Sequence, residues 1–477
     1  MRPKTNRQGR HGARAASLLH LLAILAFGAA TLAAKPGPQR SSAEIKKVLA
    51  NGPHAGECEA CHVAHGQEGE LPELHALVGP DDNSLCDRCH TTAWSGGSYP
   101  GPLVYSRSSH GSSGGSIWPG PTPPTRTEPG AAGKCLNCHD PHGESDGLGA
   151  IPHLGLAREE SLCLACHDGS PAQTDIQSEF LRPYRHPTGS LSGVHTGPAE
   201  SLPTEFGAAP LNRRHAECED CHNPHLAYHD PAGPPQDSDL SKRNLGVTRL
   251  RVINGGPGAP PMFTFVSAAD TLSPALAEYE LCFKCHSSWT SQPTGQTDLA
   301  LVLNPSNPSY HPVEAPGRNS NIRLGAFTAG WSPLSTTRCG SCHGSDAGAT
   351  EGPHGSNHRY ILKQPYTASS AERTMLSDES CFACHVYDVY ANASSPSVTR
   401  ENSRFNEPGV DKGHAKHVDE ERVPCYACHT THGSTTLPHL LVTGRSPGIQ
   451  SITVTATGGT CAPTCHGSES YTVNYAR

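Results

Sequence analysis

Cysteine and histidine carry the most evident chemistry in this sequence, and they occur together in one repeated pattern. The chain of 477 residues contains 20 Cys and 30 His. Every cysteine belongs to a pair, and histidine follows the second cysteine of every pair. Two residues separate the cysteines in nine pairs, whereas three separate Cys461 from Cys465 in the tenth. The chain therefore contains ten copies of one Cys/Cys/His unit.

The ten units use the same three residue types in the same order. Their cysteines are Cys58 and Cys61, Cys86 and Cys89, Cys135 and Cys138, Cys163 and Cys166, Cys218 and Cys221, Cys282 and Cys285, Cys339 and Cys342, Cys381 and Cys384, Cys425 and Cys428, and Cys461 and Cys465. Their histidines are, in the same order, His62, His90, His139, His167, His222, His286, His343, His385, His429 and His466.

The sequence Cys-x-x-Cys-His is the attachment signature of c-type haem. Two thiols on one turn of helix reach the two vinyl groups of one macrocycle, and the imidazole of the next residue then lies where it binds the iron. Zinc sites and disulfide bonds are the alternatives, but neither requires a histidine after the second cysteine. We therefore predict ten covalent haem c groups, with the twenty cysteines as thioether partners and the ten histidines as proximal ligands.

The ten units group into five couples along the chain. Cys58 and Cys86 are 28 residues apart, as are Cys135 and Cys163, and the intervening sequences of these two couples are similar. Such self-similarity is typical of a modular array in which neighbouring units bury one another. The predicted organisation is a signal peptide at residues 1–33, followed by haem couples at residues 34–110, 111–195, 196–311, 312–414 and 415–477.

Composition argues against an ordinary apolar core. Hydrophobic residues make up 35% of the chain and aromatic residues 5%, while the chain has 49 Gly and 43 Pro. So few apolar side chains do not offset the entropy of ordering the chain, and a disordered protein is the alternative unless the haems supply the apolar surface. The predicted fold is that of a multihaem cytochrome c, mostly irregular, with short α-helices at the CXXCH sites, little β-structure and a core of stacked haems. The segments VTRLRVI and MFTFV in the third couple predict one small β-hairpin.

The second axial ligand decides whether an iron only carries electrons or also has an open position for substrate. Methionine is scarce, with three in the chain, whereas histidine is abundant. Bis-histidine ligation at most or all sites is therefore predicted, and it implies low reduction potentials.

Two sets of histidines are the candidate distal ligands. The first set lies shortly after the first site of each couple, where it is expected to reach the neighbouring haem and lock the couple together; it comprises His65, His142, His225, His354 and His432. The second set lies outside the couples and comprises His54, His110, His186, His311 and His414. Replacements for members of the second set are His215 and His417, and a third set consists of His75, His153, His229, His358 and His439. For each of these, a surface or hydrogen-bonding role is the alternative.

Basic residues followed by an apolar run open the sequence. Five basic residues precede the run from Leu18 to Ala33, which predicts a cleaved signal peptide, with a membrane anchor as the alternative. No later stretch is long and apolar enough to span a bilayer. The chain is thus predicted to be exported to the periplasm or the cell exterior. Its formal net charge of -8 disfavours nucleic acid as a partner.

Four segments resemble the doubled-CXXCH family of multihaem c-type cytochromes: CEACHVAHG from Cys58, CLNCHDPHG from Cys135, CEDCHNPH from Cys218 and CYACHTTHG from Cys425. The resemblance covers nearly all of the chain except the leader and the linkers. It implies stacked haem pairs and electron transfer in periplasmic or extracellular respiration. Two features depart from the family pattern, namely the stretched fourth couple and the three residues between Cys461 and Cys465.

An electron relay is the predicted function, and no catalytic residue is predicted. The alternatives are a multihaem oxidoreductase, reducing a small nitrogen or sulfur oxyanion at one open haem, and a protein for haem storage or metal scavenging. The expected partners are redox proteins, other multihaem cytochromes among them. A filament is a further hypothesis, in which His54 of the next copy completes the tenth iron; a monomer that docks transiently is the alternative.

Overall fold

The computed structural model describes the greater part of the chain beyond residue 53. The described residues are 54, 58–63, 77–80, 82–90, 100–112, 135–146, 149–188, 216–228, 242–266, 277–290, 292, 295–319, 321–348, 350–407 and 412–473. All of them belong to one compact unit, Val48–Arg477. The expected signal peptide at residues 1–33 and the candidate ligands His65, His75, His215 and His229 lie outside the described residues.

The α-helices are short, and the longest of those described has nine residues. In chain order they are α1 Cys58–Cys61, α2 Asn83–Asp87, α3 Pro102–Tyr105, α4 Ser109–Ser112, α5 Glu159–Leu164, α6 Cys218–Cys221, α7 Glu278–His286, α8 Leu299–Leu303, α9 Cys339–Cys342, α10 Glu379–Phe382, α11 Tyr387–Tyr390 and α12 Ser397–Arg400. Single 3₁₀ turns cover Cys135–Asn137 and Cys425–Ala427. None of the helices among the described residues has both the length and the apolar character that a bilayer span requires.

The attachment sites explain why the helices are so short. One helical turn suffices to place cysteines three residues apart on the same side, and nothing in the flanking sequence continues the helix. Asp82 starts α2 by accepting a hydrogen bond from the Ser84 backbone N–H at 2.8 Å. Nine of the ten sites therefore lie on a short helix or a 3₁₀ turn, as the sequence predicts.

The strands are also short and pair antiparallel. They are β1 Ser145–Asp146, β2 Gly149–Ala150, β3 Tyr184–Arg185, β4 Arg249–Ile253, β5 Met262–Val266, β6 Ser309–Tyr310, β7 Gly355–Ser356, β8 Gly433–Ser434, β9 Ile449–Thr455, β10 Gly458–Pro463 and β11 Glu469–Thr472. The pairs are β1 with β2, β3 with β7, β4 with β5, and β6 with β8, while β10 lies between β9 and β11. The hairpin of β4 and β5 occupies the two segments in which the sequence predicts it.

The tenth attachment site differs from the predicted pattern, because it does not lie on a helix. Cys461 lies within β10, paired with Ile452 on one side and Glu469 on the other. Pro463 stands between the two cysteines of this site, and proline disrupts the interior of a helix by removing a backbone donor. The expectation of a short helix at every site is therefore wrong for the tenth.

One small apolar cluster includes a residue of α7. Leu250, Phe283, Ala300, Leu303 and Val313 are buried together there, between the hairpin and α8. Elsewhere among the described residues, buried polar and charged side chains are as prominent as buried apolar ones. The low content of helix and strand confirms the prediction of a mostly irregular chain.

Candidate haem-binding site

At most attachment sites, one backbone hydrogen bond holds the turn in shape. The N–H of the histidine donates to the carbonyl of the first cysteine four residues earlier, for example from His139 to Cys135 at 2.9 Å and from His343 to Cys339 at 2.9 Å. This closed turn places two thiols and one imidazole together. All twenty cysteines are free in the structure, so disulfide bonds do not account for them.

The histidine after the first site of each of the first four couples faces a histidine of the following couple. The rings of these four pairs are nearly parallel, with interplanar angles of 22° or less. Their centroid distances are 5.8 Å for His62 and His142, 6.0 Å for His139 and His225, 6.1 Å for His222 and His354, and 6.2 Å for His343 and His432.

The histidine after the second site of each of the first three couples faces a histidine of the second candidate set. These rings are more strongly crossed than those of the first sites. The centroid distances are 6.1 Å for His54 and His90, 6.0 Å for His110 and His167, and 6.3 Å for His186 and His286. In the fourth couple, His311 lies near His385 and, after desolvation as the main cause, helps to lower the pKa of His385 to about 4.

The fifth couple obtains both of its facing histidines from one segment. His414 lies 6.2 Å from His429, and His417 lies 6.3 Å from His466. These two residues, three positions apart, take the place of the two sources that serve the other couples. The tenth site thus has a candidate ligand within the same chain.

The spacing of these pairs fits two imidazoles bound to one iron. An imidazole nitrogen lies about 2 Å from a metal that it binds and its ring centre about 1 Å farther, so two opposed ligands have centroids about 6 Å apart. The nine measured pairs have centroids 5.8 to 6.3 Å apart. The Nδ1 atoms of His354, His385 and His414 are buried without a hydrogen-bond partner, which leaves a ring nitrogen of each available to a metal.

Four of the five histidines of the second set are oriented by backbone carbonyls. In each of the four, the Nδ1 of the ring lies against the carbonyl of the residue that precedes a first-set histidine, which would leave Nε2 for an iron. The contacts join His54 to Pro141 at 3.4 Å, His110 to Pro224 at 2.7 Å, His186 to Pro353 at 2.7 Å, and His311 to Thr431.

The two histidines that face the attachment-site histidines of one couple are therefore held to each other. The short sheet of β3 and β7 strengthens this contact, because the His186 N–H donates to the His354 carbonyl at 3.2 Å. The sheet of β6 and β8 repeats it, since the His311 N–H donates to the His432 carbonyl at 2.8 Å. These two-residue sheets fix the relative position of two candidate iron ligands rather than form a core.

The proximal histidines of the first sites have carbonyl partners of their own. The ring Nδ1 contacts are His139 with the His153 carbonyl at 2.9 Å, His222 with Arg243 at 3.0 Å, His343 with Tyr360 at 2.8 Å and His429 with His439 at 3.0 Å. His153, Tyr360 and His439 all have left-handed backbone, with φ of 56°, 66° and 58°. Such backbone is unfavourable for residues other than glycine, and it persists here where it turns a carbonyl toward a ligand.

Two members of the third candidate set thus act through the backbone and not as ring ligands. His153 and His439 contribute their backbone carbonyls to the proximal histidines, and neither ring is among the facing pairs. These carbonyl contacts were not predicted, because any residue type provides them and only the fold brings them near. The sole sequence signal is the repeat of residues such as PHL, at residues 152–154 and 438–440.

Burial favours the neutral form, which is the form that binds a metal, at several of the facing imidazoles. Desolvation is the main cause, and the facing histidine adds to it. Together they lower the pKa of His225, His354 and His432 to about 3. Desolvation, followed by the influence of His186, lowers the pKa of His286 to about 4.

Neighbouring attachment sites bring their thiols together in chain order. Within each couple, the pKa of one thiol is raised mainly by desolvation and further by a thiol of the other site, which shows that the two sites are close. The pairs are Cys61 with Cys86, Cys138 with Cys166, Cys221 with Cys282, Cys342 with Cys384, and Cys428 with Cys461. Between couples, the neighbouring thiol is the first cause that raises the pKa of Cys135 (from Cys86), of Cys282 (from Cys339) and of Cys425 (from Cys381). Consecutive sites are therefore spatial neighbours along most of the chain.

The geometry does not suit zinc. Among the described residues, the one group of three metal-binding atoms within 4.8 Å of one another consists of Asp378, Cys381 and Cys425. A structural zinc site needs four ligands around one ion. Moreover, Cys381 and Cys425 belong to two different attachment sites.

Two expectations about the distal ligands need correction. His142, His225, His354 and His432 each face a histidine of the preceding couple, so they join successive couples instead of locking one couple together. The tenth site does not need His54 of another copy, because His417 faces His466 and His54 faces His90.

Comparison with known proteins identifies one motif. Residues 128–172, which contain the second couple, match the family model for the doubled CXXCH motif. This motif is a feature of multihaem c-type cytochromes and indicates covalent haem binding. No curated protein and no solved structure matches the chain significantly.

Proposed function

We propose that this chain is an electron-transfer protein that holds ten haem c groups, each by two thioether bonds and two histidines. The doubled CXXCH motif of residues 128–172 supports haem binding and electron transport. The observation that carries the proposal to the whole chain is the set of nine histidine pairs, each of which joins one attachment-site histidine to a second ring 5.8 to 6.3 Å away.

Paired histidines favour relay over catalysis. Haem supplies reversible one-electron chemistry when bound. In this chain, the second imidazole of each pair occupies the position that a substrate would need, and carbonyls such as those of Pro224 and Pro353 hold that imidazole in place. Bis-histidine ligation also favours low potentials over those of methionine-ligated carriers.

The order of the sites supports transfer along the length of the chain. Electron tunnelling falls steeply with distance, so a relay needs successive haems in close contact. The contacts of Cys86 with Cys135 and of Cys381 with Cys425 bring consecutive sites of different couples together. The facing histidines of one couple, such as His186 and His354, are likewise tied to each other.

The proposed setting is periplasmic or extracellular respiration. Attachment of haem c takes place after export, which agrees with the leader expected at residues 1–33. We propose redox proteins as the partners, including other multihaem cytochromes. The acidic balance of the chain, 44 Asp+Glu against 36 Lys+Arg, favours partners with a basic docking surface.

Titration of the holoprotein with cyanide and with nitrite tests the proposal. We expect no shift of the Soret band with either ligand, because both axial positions of each iron are filled by histidine. A shift in a fraction of the haems, together with consumption of nitrite by the reduced protein, would instead support the oxidoreductase that the sequence left as the alternative. A Met-ligated cytochrome of known cyanide affinity serves as the positive control for the titration.

A further inference from the structure

Three boundaries between couples share a hydrogen bond that the haem sites themselves do not require. In each, a side chain at the N-terminal end of the helix that carries one couple's second site accepts a hydrogen bond from the backbone at the start of the next couple's first site. The contacts are Asn83 Oδ1 with the Cys135 N–H at 3.2 Å, Glu278 Oε1 with the Gly340 N–H at 2.6 Å, and Asp378 Oδ1 with the Cys425 N–H at 3.0 Å.

At the same three boundaries, two thiols lie close enough for one to affect the pKa of the other. The thiol pairs are Cys86 with Cys135, Cys282 with Cys339, and Cys381 with Cys425. Each pair comprises the first cysteine of one couple's second site and the first cysteine of the following couple. The hydrogen bond and the pair of neighbouring thiols therefore lie at the same three boundaries.

The position of the accepting side chains explains how they act. Asn83 and Glu278 are the first residues of α2 and α7, and Asp378 immediately precedes α10. Each of these side chains lies about one helical turn before the first cysteine of its own site. The backbone N–H that it binds belongs to the first turn of the next site. One short hydrogen bond therefore fixes two attachment turns against each other with little freedom.

Asp378 is the most strongly held of the three. It is fully buried, and its Oδ2 accepts a hydrogen bond from Nε of Arg373, itself 2% exposed, at 2.8 Å. The Arg373 guanidinium in turn lies over the rings of Phe382 and Tyr387. Burying such an ion pair contributes little net stability, so its presence is better explained by the geometry that it specifies.

We infer that Asn83, Glu278 and Asp378 are positioning residues that set the approach of neighbouring haem sites across the boundaries between couples. The inference rests on the proposed function, because the approach of two sites matters only if electrons pass between them. Two of the three are carboxylates and one is an amide, so the shared requirement is an oxygen acceptor and not a charge. At the remaining boundary, Glu160 lies three residues before Cys163, the same offset at which Asn83 and Asp378 precede Cys86 and Cys381.

Replacement of Asn83 tests the inference, because Asn83 has no ion pair that the change would disrupt. In the haem-loaded full-length protein, Asn83→Ala is expected to keep the haem count by intact mass and the low-spin spectrum. It is also expected to lose part of the exciton couplet that neighbouring haems produce in the Soret circular dichroism, and to slow internal electron transfer severalfold after flash reduction. Asn83→Asp keeps an oxygen acceptor and is expected to restore both signals. Ser84→Ala, an exposed change in the same helix, is the matched control and is expected to leave both signals unchanged.

The second boundary provides an independent pair of variants. Glu278→Gln keeps an acceptor for the Gly340 N–H and is expected to resemble the wild type, whereas Glu278→Ala is expected to reproduce the loss. Alanine variants with full haem content and an unchanged couplet at both boundaries would overturn the inference. That result would leave the proposed function intact, since the proposed function is tested separately on the wild-type holoprotein, by its haem content and by its titration with cyanide and nitrite.

Discussion

Expressed without haem attachment, the chain is expected to show no cooperative unfolding transition. The small apolar cluster contains five buried residues, among them Leu250 and Phe283. Burial of one large apolar side chain stabilises a fold by about 1.5–3 kcal/mol. Ordering each residue of the backbone costs about 1–2 kcal/mol. Because the other buried apolar side chains of the described residues lie outside this cluster, we expect bound macrocycles to supply most of the apolar surface.

Scanning calorimetry of the apo chain and the holoprotein in the same buffer measures this difference. The holoprotein is expected to unfold cooperatively, and the apo chain to give a flat trace. Addition of zinc to the apo chain is expected not to restore the transition, because the Cys/Cys/His units do not assemble four ligands around one ion. An apo chain with an unfolding enthalpy close to that of the holoprotein would contradict the account of the core.

Removal of one facing histidine is expected to open one iron. His225→Ala takes away the ring that lies 6.0 Å from His139, and no other histidine ring is placed to replace it in the described structure. One haem should become high-spin and bind cyanide or carbon monoxide, while the haem count stays unchanged. His225→Met is expected to keep that haem low-spin and to raise its potential, since methionine ligation favours higher potentials.

His153→Asn is the matched control for the His225 variants. The His153 ring is exposed, the position contributes its backbone carbonyl to His139, and asparagine tolerates its left-handed φ of 56°. We expect this variant to keep the low-spin spectrum and to bind no cyanide. If His225→Ala bound no more cyanide than His153→Asn, the assignment of His225 as an iron ligand would be wrong.

The attachment sites were predictable from the sequence because their chemistry is local. Two thiols and an imidazole within five consecutive residues, such as Cys135 to His139, define a site whatever the fold around it. The hairpin at 249–266 was predictable for a similar reason, since it depends on two adjacent apolar segments. The low content of regular structure followed from the scarcity of apolar residues.

The pairing of the histidines was not predictable, because it depends on contacts between distant segments. His142 recurs at the expected offset after His139, yet it faces His62 of the preceding couple. An offset identifies a candidate ligand but not the iron that it serves, since the linkers between couples vary in length. His417 was one of two possible replacements in the second candidate set, and only the fold places its ring 6.3 Å from that of His466.

The sequence around the tenth site is typical of strands, although the attachment motif alone suggests a helix there. The segment SITVTATGG alternates apolar and polar residues and ends in two glycines, which is typical of a hairpin. In the structure this segment forms β9 and the turn into β10, which carries Cys461. The third residue between Cys461 and Cys465 accompanies this change from helix to strand.

Spin-quantified low-temperature EPR of the fully oxidised holoprotein tests the central claim most directly, because it counts ferric haems and reports their axial ligands together. We predict ten low-spin ferric haems per chain, matching the ten Cys/Cys/His units. The g values should be those of bis-histidine ligation, from nearly parallel rings at sites such as His139 with His225 and from crossed rings at sites such as His110 with His167. A spectrum dominated by high-spin iron, or a total well below ten haems per chain, would contradict the account.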